Sequence, residues 1–329
     1  MFDVALVLVV TAHLLAVAWA IAGPFVGLWL AWRLRRGDAV AGVAGRYVLG
    51  LSLVALAAAI VLGLAALGLL WLEFRHPYFD AAEQVPPRRY WFGLLELVFS
   101  FVCLAAAWNG WPQADAAEGA GRFWARWGLT LLAATNLAYH FPPLFAVIGV
   151  YCTRPEQWGD QRPFIKMLVD PEVLARTLHH LLAAFAVTGA MLATLTRPFA
   201  HAGLLDEARG RVAVWGGRIA LAAVVGQIMS GTYLLFELPA ASRERLLGGD
   251  SIATLMFAAS LLATVALLHP LAAASLGDGD QRQLRAAVCL VVIVVLLMVA
   301  TRHRTRKEWT KENRKSEVGL LVLMLNPEP

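Results

Sequence analysis

Charge is scarce in this chain. Asp, Glu, Lys and Arg make up 16% of its 329 residues, while hydrophobic residues make up 59%. Soluble domains carry about 25% charged residues, so this balance excludes the soluble globular class and points to a membrane. Cysteine is scarce too. Cys103, Cys152 and Cys289 stand singly, with no CxxC pair and no CxxCH, which argues against a cysteine-ligated cluster or a covalently attached c-type haem and leaves the redox compartment open. A polar stretch long enough for a separate soluble domain is also missing. The net charge of +5 suits the basic loops of a membrane protein, and nothing points to nucleic acid. A cleavable signal peptide is a poor reading of the N-terminus, where the apolar run is too long and lacks a basic start.

What the chain has is apolar runs, at about 4–32, 47–72, 91–110, 127–150, 173–196, 212–236, 252–274 and 286–300. Each is long enough for a bilayer. They predict an all-α, polytopic membrane bundle of eight transmembrane helices in two four-helix halves over residues 1–301, followed by a basic tail over 302–329. Arg33, Arg35 and Arg36 close the first run, whereas only Asp3 opens it, so the N-terminus is expected outside a bacterial inner membrane. Counted through eight spans, the tail RHRTRKEWTKENRK also falls outside, against the positive-inside trend. The first helix usually dominates, and the tail reads as a solvated or disordered end or as a docking arm for a soluble partner. The last stretch, VGLLVLMLNPEP, is too short to span.

The fifth run, PEVLARTLHHLLAAFAVTGAMLATL, carries the densest signal. An imidazole inside a spanning helix needs a partner, and haem iron fits. His180 shares a face with Arg176, Ala183, Ala184 and Val187. Small residues there leave room for a porphyrin, and Arg176 is placed to meet a propionate. His179 lies about 100° round the helix, so only one of the two suits a given iron, and His180 has the better surroundings. The plainer alternative is a buried histidine bonded to a backbone carbonyl.

Other runs supply further candidates. His13 has Val9, Ala16, Val17 and Ala20 on its face, and Gly23 with Gly27 allows close helix approach. Met256, beside Ala253, Ala259 and Ser260, offers a thioether that would pair with an imidazole on low-spin haem, although an apolar methionine is more often core. His140 stands one turn from Asn136, ahead of Pro142 and Pro143. Those prolines should disrupt the helix and free carbonyls near 138 and 139, which would either accept from His140 or leave it to ligate. Glu96, following PPRRY, is expected to handle protons, to neighbour a haem or to pair with Arg88 or Arg89. Glu73, Arg75 and His76 read as a paired surface cluster or a quinone headgroup site. Gln227, Ser230 and Tyr233 are placed to hydrogen-bond across helices, and His269, before Pro270, reads as structural. Counted from the outer boundary, His13, His140, His180 and Met256 all lie roughly 9–18 Å deep. Four potential ligands at one level suit two haems near one face.

These stretches resemble subunit I of the cytochrome bd quinol oxidases. The similarity is carried by TAHLLAVAWAIAG, WLEF, LLELVFSF, TNLAYHF and LVDPEVLARTLHHLLAAFAVTGAM, over about residues 5–270. The last is the most specific, with a histidine followed seven residues later by VTGAM. The resemblance implies that His180 and Met256 hold a low-spin haem b, that His13 serves a second haem and that Glu96 lies near it. It also shows departures. Arg88 stands where the family has a second carboxylate, the quinol-binding loop shrinks to 237–250, and a ninth helix with a haem-ligating Glu is missing. The expectation is a bd-like cytochrome b with two haems b. It would pass electrons between quinone and an outer-face partner, such as a multihaem cytochrome c or an iron–sulfur subunit, within a hetero-oligomeric complex. The alternatives are an oxygen-reducing quinol oxidase and a haem-free membrane anchor.

Overall fold

The computed structural model describes residues 2–73, 77–112, 119–154, 158, 162–195, 199 and 205–325, with the backbone alone at 2, 73, 77, 205–207 and 307–325. The elements are α1 (Phe2–Arg35), α2 (Ala39–Glu73), α3 (Pro77–Glu83), α4 (Pro87–Asn109), α5 (Ala120–Tyr151), α6 (Phe164–Met167), α7 (Pro171–Ala193), α8 (Leu205–Glu237), α9 (Ala240–Glu244), α10 (Ser251–Leu276) and α11 (Gln281–Leu325). Among the described residues there is no strand. Eight of the helices are long and apolar enough to cross a membrane. The surface agrees with that reading. Leu95, Leu255 and Leu262 are 65%, 71% and 71% exposed, an arrangement that would be costly in water and is natural against lipid. The chain is an integral membrane protein with an all-α bundle.

Four antiparallel hairpins, α1/α2, α4/α5, α7/α8 and α10/α11, make the bundle. Small residues let their backbones meet, because in lipid there is no hydrophobic drive between helices and close packing takes its place. On α1, a Cβ at Gly23 would lie 2.3 Å from Ser52 Oγ, and one at Gly27 would lie 2.8 Å from Leu49. The α7/α8 contact is tighter still. A Cβ at Gly216 would sit 2.4 Å from the backbone nitrogen of Ala193, and one at Gly189 would sit 2.6 Å from that of Ala220. α1 joins α7 through Thr188, which donates to the Ala18 carbonyl at 3.3 Å, and through the Phe25–Phe185 ring pair at 5.8 Å.

Polar groups gather at the two ends. Where α1 begins, His303 pairs with Asp3 at 2.9 Å and Arg304 with Asp250 at 2.9 Å, tying α11 to α1 and to the start of α10. At the other end Asp38 receives Arg33 at 2.9 Å and Arg211 at 2.5 Å. Arginines lie over aromatic rings there: Arg33 over Trp215, Arg35 over Phe123 and Arg126 over Trp111. Such an Arg–Trp belt belongs at headgroup level.

Two expectations change in detail. Pro142 and Pro143 do not break their helix, since α5 runs through both, as spanning helices surrounded by neighbours allow. The boundary drawn at 301/302 falls inside α11, where Arg302 is exposed and residues 303–306 are half-buried. Glu73, Arg75 and His76 lie outside the residues whose side chains are described.

Candidate functional site

α7 begins where Asp170 caps it, accepting from the Glu172 backbone N–H at 3.0 Å, with Pro171 at the first helical position. That cap belongs to a buried ionic network. Glu172 is only 1% exposed, and it is clamped by Arg176, one turn on, and by Arg154 at 2.5 Å. Asp170 takes Arg162 at 2.8 Å. Arg176 therefore spends its guanidinium on Glu172, with Nε donating to Oε1 at 2.8 Å.

Three residues further, the paired histidines part company. His179 turns toward α8. Ser230 Oγ donates to the Gln227 carbonyl at 3.3 Å, so it accepts from the His179 Nδ1–H at 3.2 Å, and the ring lies against Gly231. His180 makes no hydrogen bond or ion pair among the described residues. Its ring is half-buried. One turn earlier on α7, the Thr177 hydroxyl is buried without a hydrogen-bond partner among the described residues.

His13 is held from behind. Its Nδ1 lies 2.9 Å from the Ala59 carbonyl on α2, with the ring against Gly63. A carbonyl only accepts, so Nδ1 carries the proton and Nε2 presents a lone pair. Metal-binding histidines are commonly anchored in this way. His180 and His13 lie within electrostatic reach of one another.

His140 is placed otherwise. Its Nδ1 sits 2.6 Å from Glu96, and its buried, unbonded Nε2 faces Gly93, where a Cβ would be 3.0 Å away. Asn136, on the same face, donates to the Glu96 carbonyl at 3.0 Å and to Ser100 at 2.9 Å. Glu96 thus pairs with His140, while Arg89 lies over the Phe164 ring at 5.0 Å. The carbonyls near 138 and 139 play no part in holding the imidazole.

Met256 is on α10, which packs chiefly on α8 and α11. Among the described residues no polar interaction ties it to His180. The residue that sequence reasoning passed over is Arg302. It looked like the start of a basic tail, but α11 continues without a break, and a Cβ at Gly149 on α5 would lie 2.8 Å from its Nη2. A helical pattern continuing through TRHRTR, with all four cations two to six residues past the apolar run, was the available signal.

Nearby, outside the spans, burial lifts the Tyr78 phenol to about 12 and also raises the Cys152 thiol. Cys152 accepts from Arg306 at 3.3 Å. Among the described residues no group of three or more His, Cys, Asp or Glu converges on one point, so an all-protein metal cage is not formed there. One or two axial imidazoles are a different requirement, and haem needs no more from the protein. An unpartnered imidazole at His180 and a second, anchored one at His13 are donors of the type that group uses. The recess lined by Arg209, Gly277 and Arg285 lies at the opposite end and has no part in this arrangement. In comparisons with protein-family models and with curated proteins, nothing matches this chain.

Proposed function

We propose that the chain is a bd-like cytochrome b, a haem-carrying subunit that passes electrons between membrane quinone and a redox partner. The observation that carries this reading is His180, an imidazole inside a spanning bundle with no hydrogen-bond partner among the described residues, beside His13, whose Nε2 is left free. His180 would hold one haem b, with Met256 as its expected second ligand, and His13 would serve a second haem. Bound haem supplies a one-electron iron couple. The protein supplies the ligands, a low-dielectric wall and a fixed position in the membrane.

The chain's own residues have defined tasks in this scheme. The Ala59 carbonyl holds His13 in one tautomer, and Gly63 leaves space for its ring. The Glu96–His140 pair, with Asn136 donating to the Glu96 carbonyl, sets a carboxylate against an imidazole inside the membrane. His179, anchored on Ser230, fixes the rotation of α7 and with it the side to which His180 points.

The Arg–Trp belt around Asp38 supports an orientation in a bacterial inner membrane with that end in the cytoplasm and the start of α1 outside. A multihaem cytochrome c or iron–sulfur subunit would then dock at the outer face, where α11 emerges. The test is a pyridine haemochrome assay and a reduced-minus-oxidised spectrum of the purified complex. Haem b that disappears in His180→Ala supports the reading. A chain without haem would establish the membrane-anchor alternative, and a carbon-monoxide-reactive haem would move the function to oxygen reduction.

A further inference from the structure

The geometry points to a binding site for the phosphate headgroup of an anionic phospholipid, in the recess between α8, α10 and α11. The assignment is independent of the haem reading. The recess measures about 520 Å³, within the range of about 300–1,000 Å³ usual for ligand pockets. Its floor is apolar, since Ala213, Ala274 and Leu284 are buried and belong to one packed cluster. Its walls carry Arg209 from α8 and Arg285 from α11. Neither guanidinium makes a hydrogen bond or ion pair among the described residues. Other arginines at this end are engaged, Arg33 and Arg211 by Asp38 and Arg218 by the Ser275 carbonyl. Among the described residues the carboxylate of the lining is Asp280, and it caps α11, accepting from the Gln283 backbone N–H at 2.7 Å. Two cations thus face one carboxylate that is already in use.

Depth and continuity name the occupant. The spans around the recess are Ala208–Glu237, Ser251–Leu276 and Gln281–Arg306, so Arg209 and Arg285 each lie within about a turn of a span's end. That is headgroup depth, at the end of the bundle that carries the Arg–Trp belt. A guanidinium meets phosphate oxygens with two parallel N–H donors, and basic pockets between spanning helices are recurring headgroup sites. A phospholipid also needs a path for its chains. Cys289 and Val292, four and seven residues after Arg285, share its stripe on α11, and both are exposed. Leu276, next to Gly277 at the rim, is exposed as well. A free phosphate would leave this apolar track unused. A phosphate held by both arginines would link α8 to α11 across α10, on which both pack.

The experiment uses the purified chain, delipidated in neutral detergent, with two readouts: lipid retained in native mass spectrometry and the unfolding temperature during lipid titration. Phosphatidylglycerol should be retained and should raise the unfolding temperature, whereas phosphatidylcholine with the same acyl chains should do neither. Arg209→Gln and Arg285→Gln should each raise the half-saturating phosphatidylglycerol concentration about tenfold, the scale of one lost charge-assisted hydrogen bond. A Cβ at Gly210, also in the lining, meets nothing within 4 Å, so Gly210→Phe fills the recess while keeping both charges, and it should weaken binding too. Arg35→Gln with Arg36→Gln removes two exposed charges on α1, away from the recess, and should leave binding unchanged. Equal retention of the two lipids by wild type would overturn the proposal. So would a phosphatidylglycerol preference that survives the recess variants, or one that falls as much in the α1 variant, since either result marks unspecific attraction. Inorganic phosphate that displaces the lipid and stabilises the chain equally well would overturn it in favour of a soluble anion.

Discussion

His140 and His180 lie on spanning helices that run in opposite directions, and their imidazoles are set differently. His140 has Glu96 on Nδ1 and keeps a buried, unbonded Nε2 across from Gly93. His180 is half-buried and makes no hydrogen bond or ion pair among the described residues. An intramembrane histidine is thus no single signal: one is paired through a carboxylate, and the other leaves both ring nitrogens open.

Substituting the two residues in parallel sharpens that contrast, and the largest effect is expected at His180. His180→Ala should weaken haem retention by more than about a hundredfold, since the hydrogen-bond partners of a ligand are alone worth about 10–100-fold. His140→Ala should leave the haem bands in place. Equal spectral loss in both variants would break the comparison. Next in size is the platform that presents His180. Glu172→Ala strips the buried carboxylate from Arg154 and Arg176, with an expected loss of about 3–5 kcal/mol, read as a lower unfolding temperature in detergent. Gly216→Val should cost about 1–3 kcal/mol by overpacking the α7/α8 crossing, visible in the same thermal assay. His140→Ala should cost a comparable about 1–3 kcal/mol, because Glu96 is left without its partner.

The smallest effect concerns Tyr78. Its phenol is raised from 10.0 to about 12 by burial, so the folded state holds that proton more tightly than the unfolded chain. The stabilisation is complete below pH 10 and is lost as pH rises toward 12. Tyr78→Phe should flatten the alkaline decline in unfolding temperature over that window.

The eight spans were legible because each is a long apolar run, and lipid selects for that property directly. Their ends were less so. α2 begins at Ala39 and α5 at Ala120, about two turns before the apolar runs, because helices continue through the headgroup zone where arginines and tryptophans are welcome. Pro142 and Pro143 misled for a related reason, as neighbouring helices support a proline-containing helix that would be costly in isolation. At the site, the face of His180 could be read from helical spacing alone. The partners of Glu96 and Arg176 could not, because they depend on which helices touch. Arg302 stayed hidden for the same reason. Its sequence neighbours suggest a tail, and only the packing of α11 on α1 and α7 shows that the helix carries on past the apolar run.

An experimental density map of the purified complex at His180 tests the central claim most directly. The account predicts a flat porphyrin-shaped feature on the His180 ring, with an iron peak about 2.0–2.1 Å from Nε2, the usual metal–imidazole distance. Continuous side-chain or lipid density filling the space around that imidazole, with no iron peak, would contradict it.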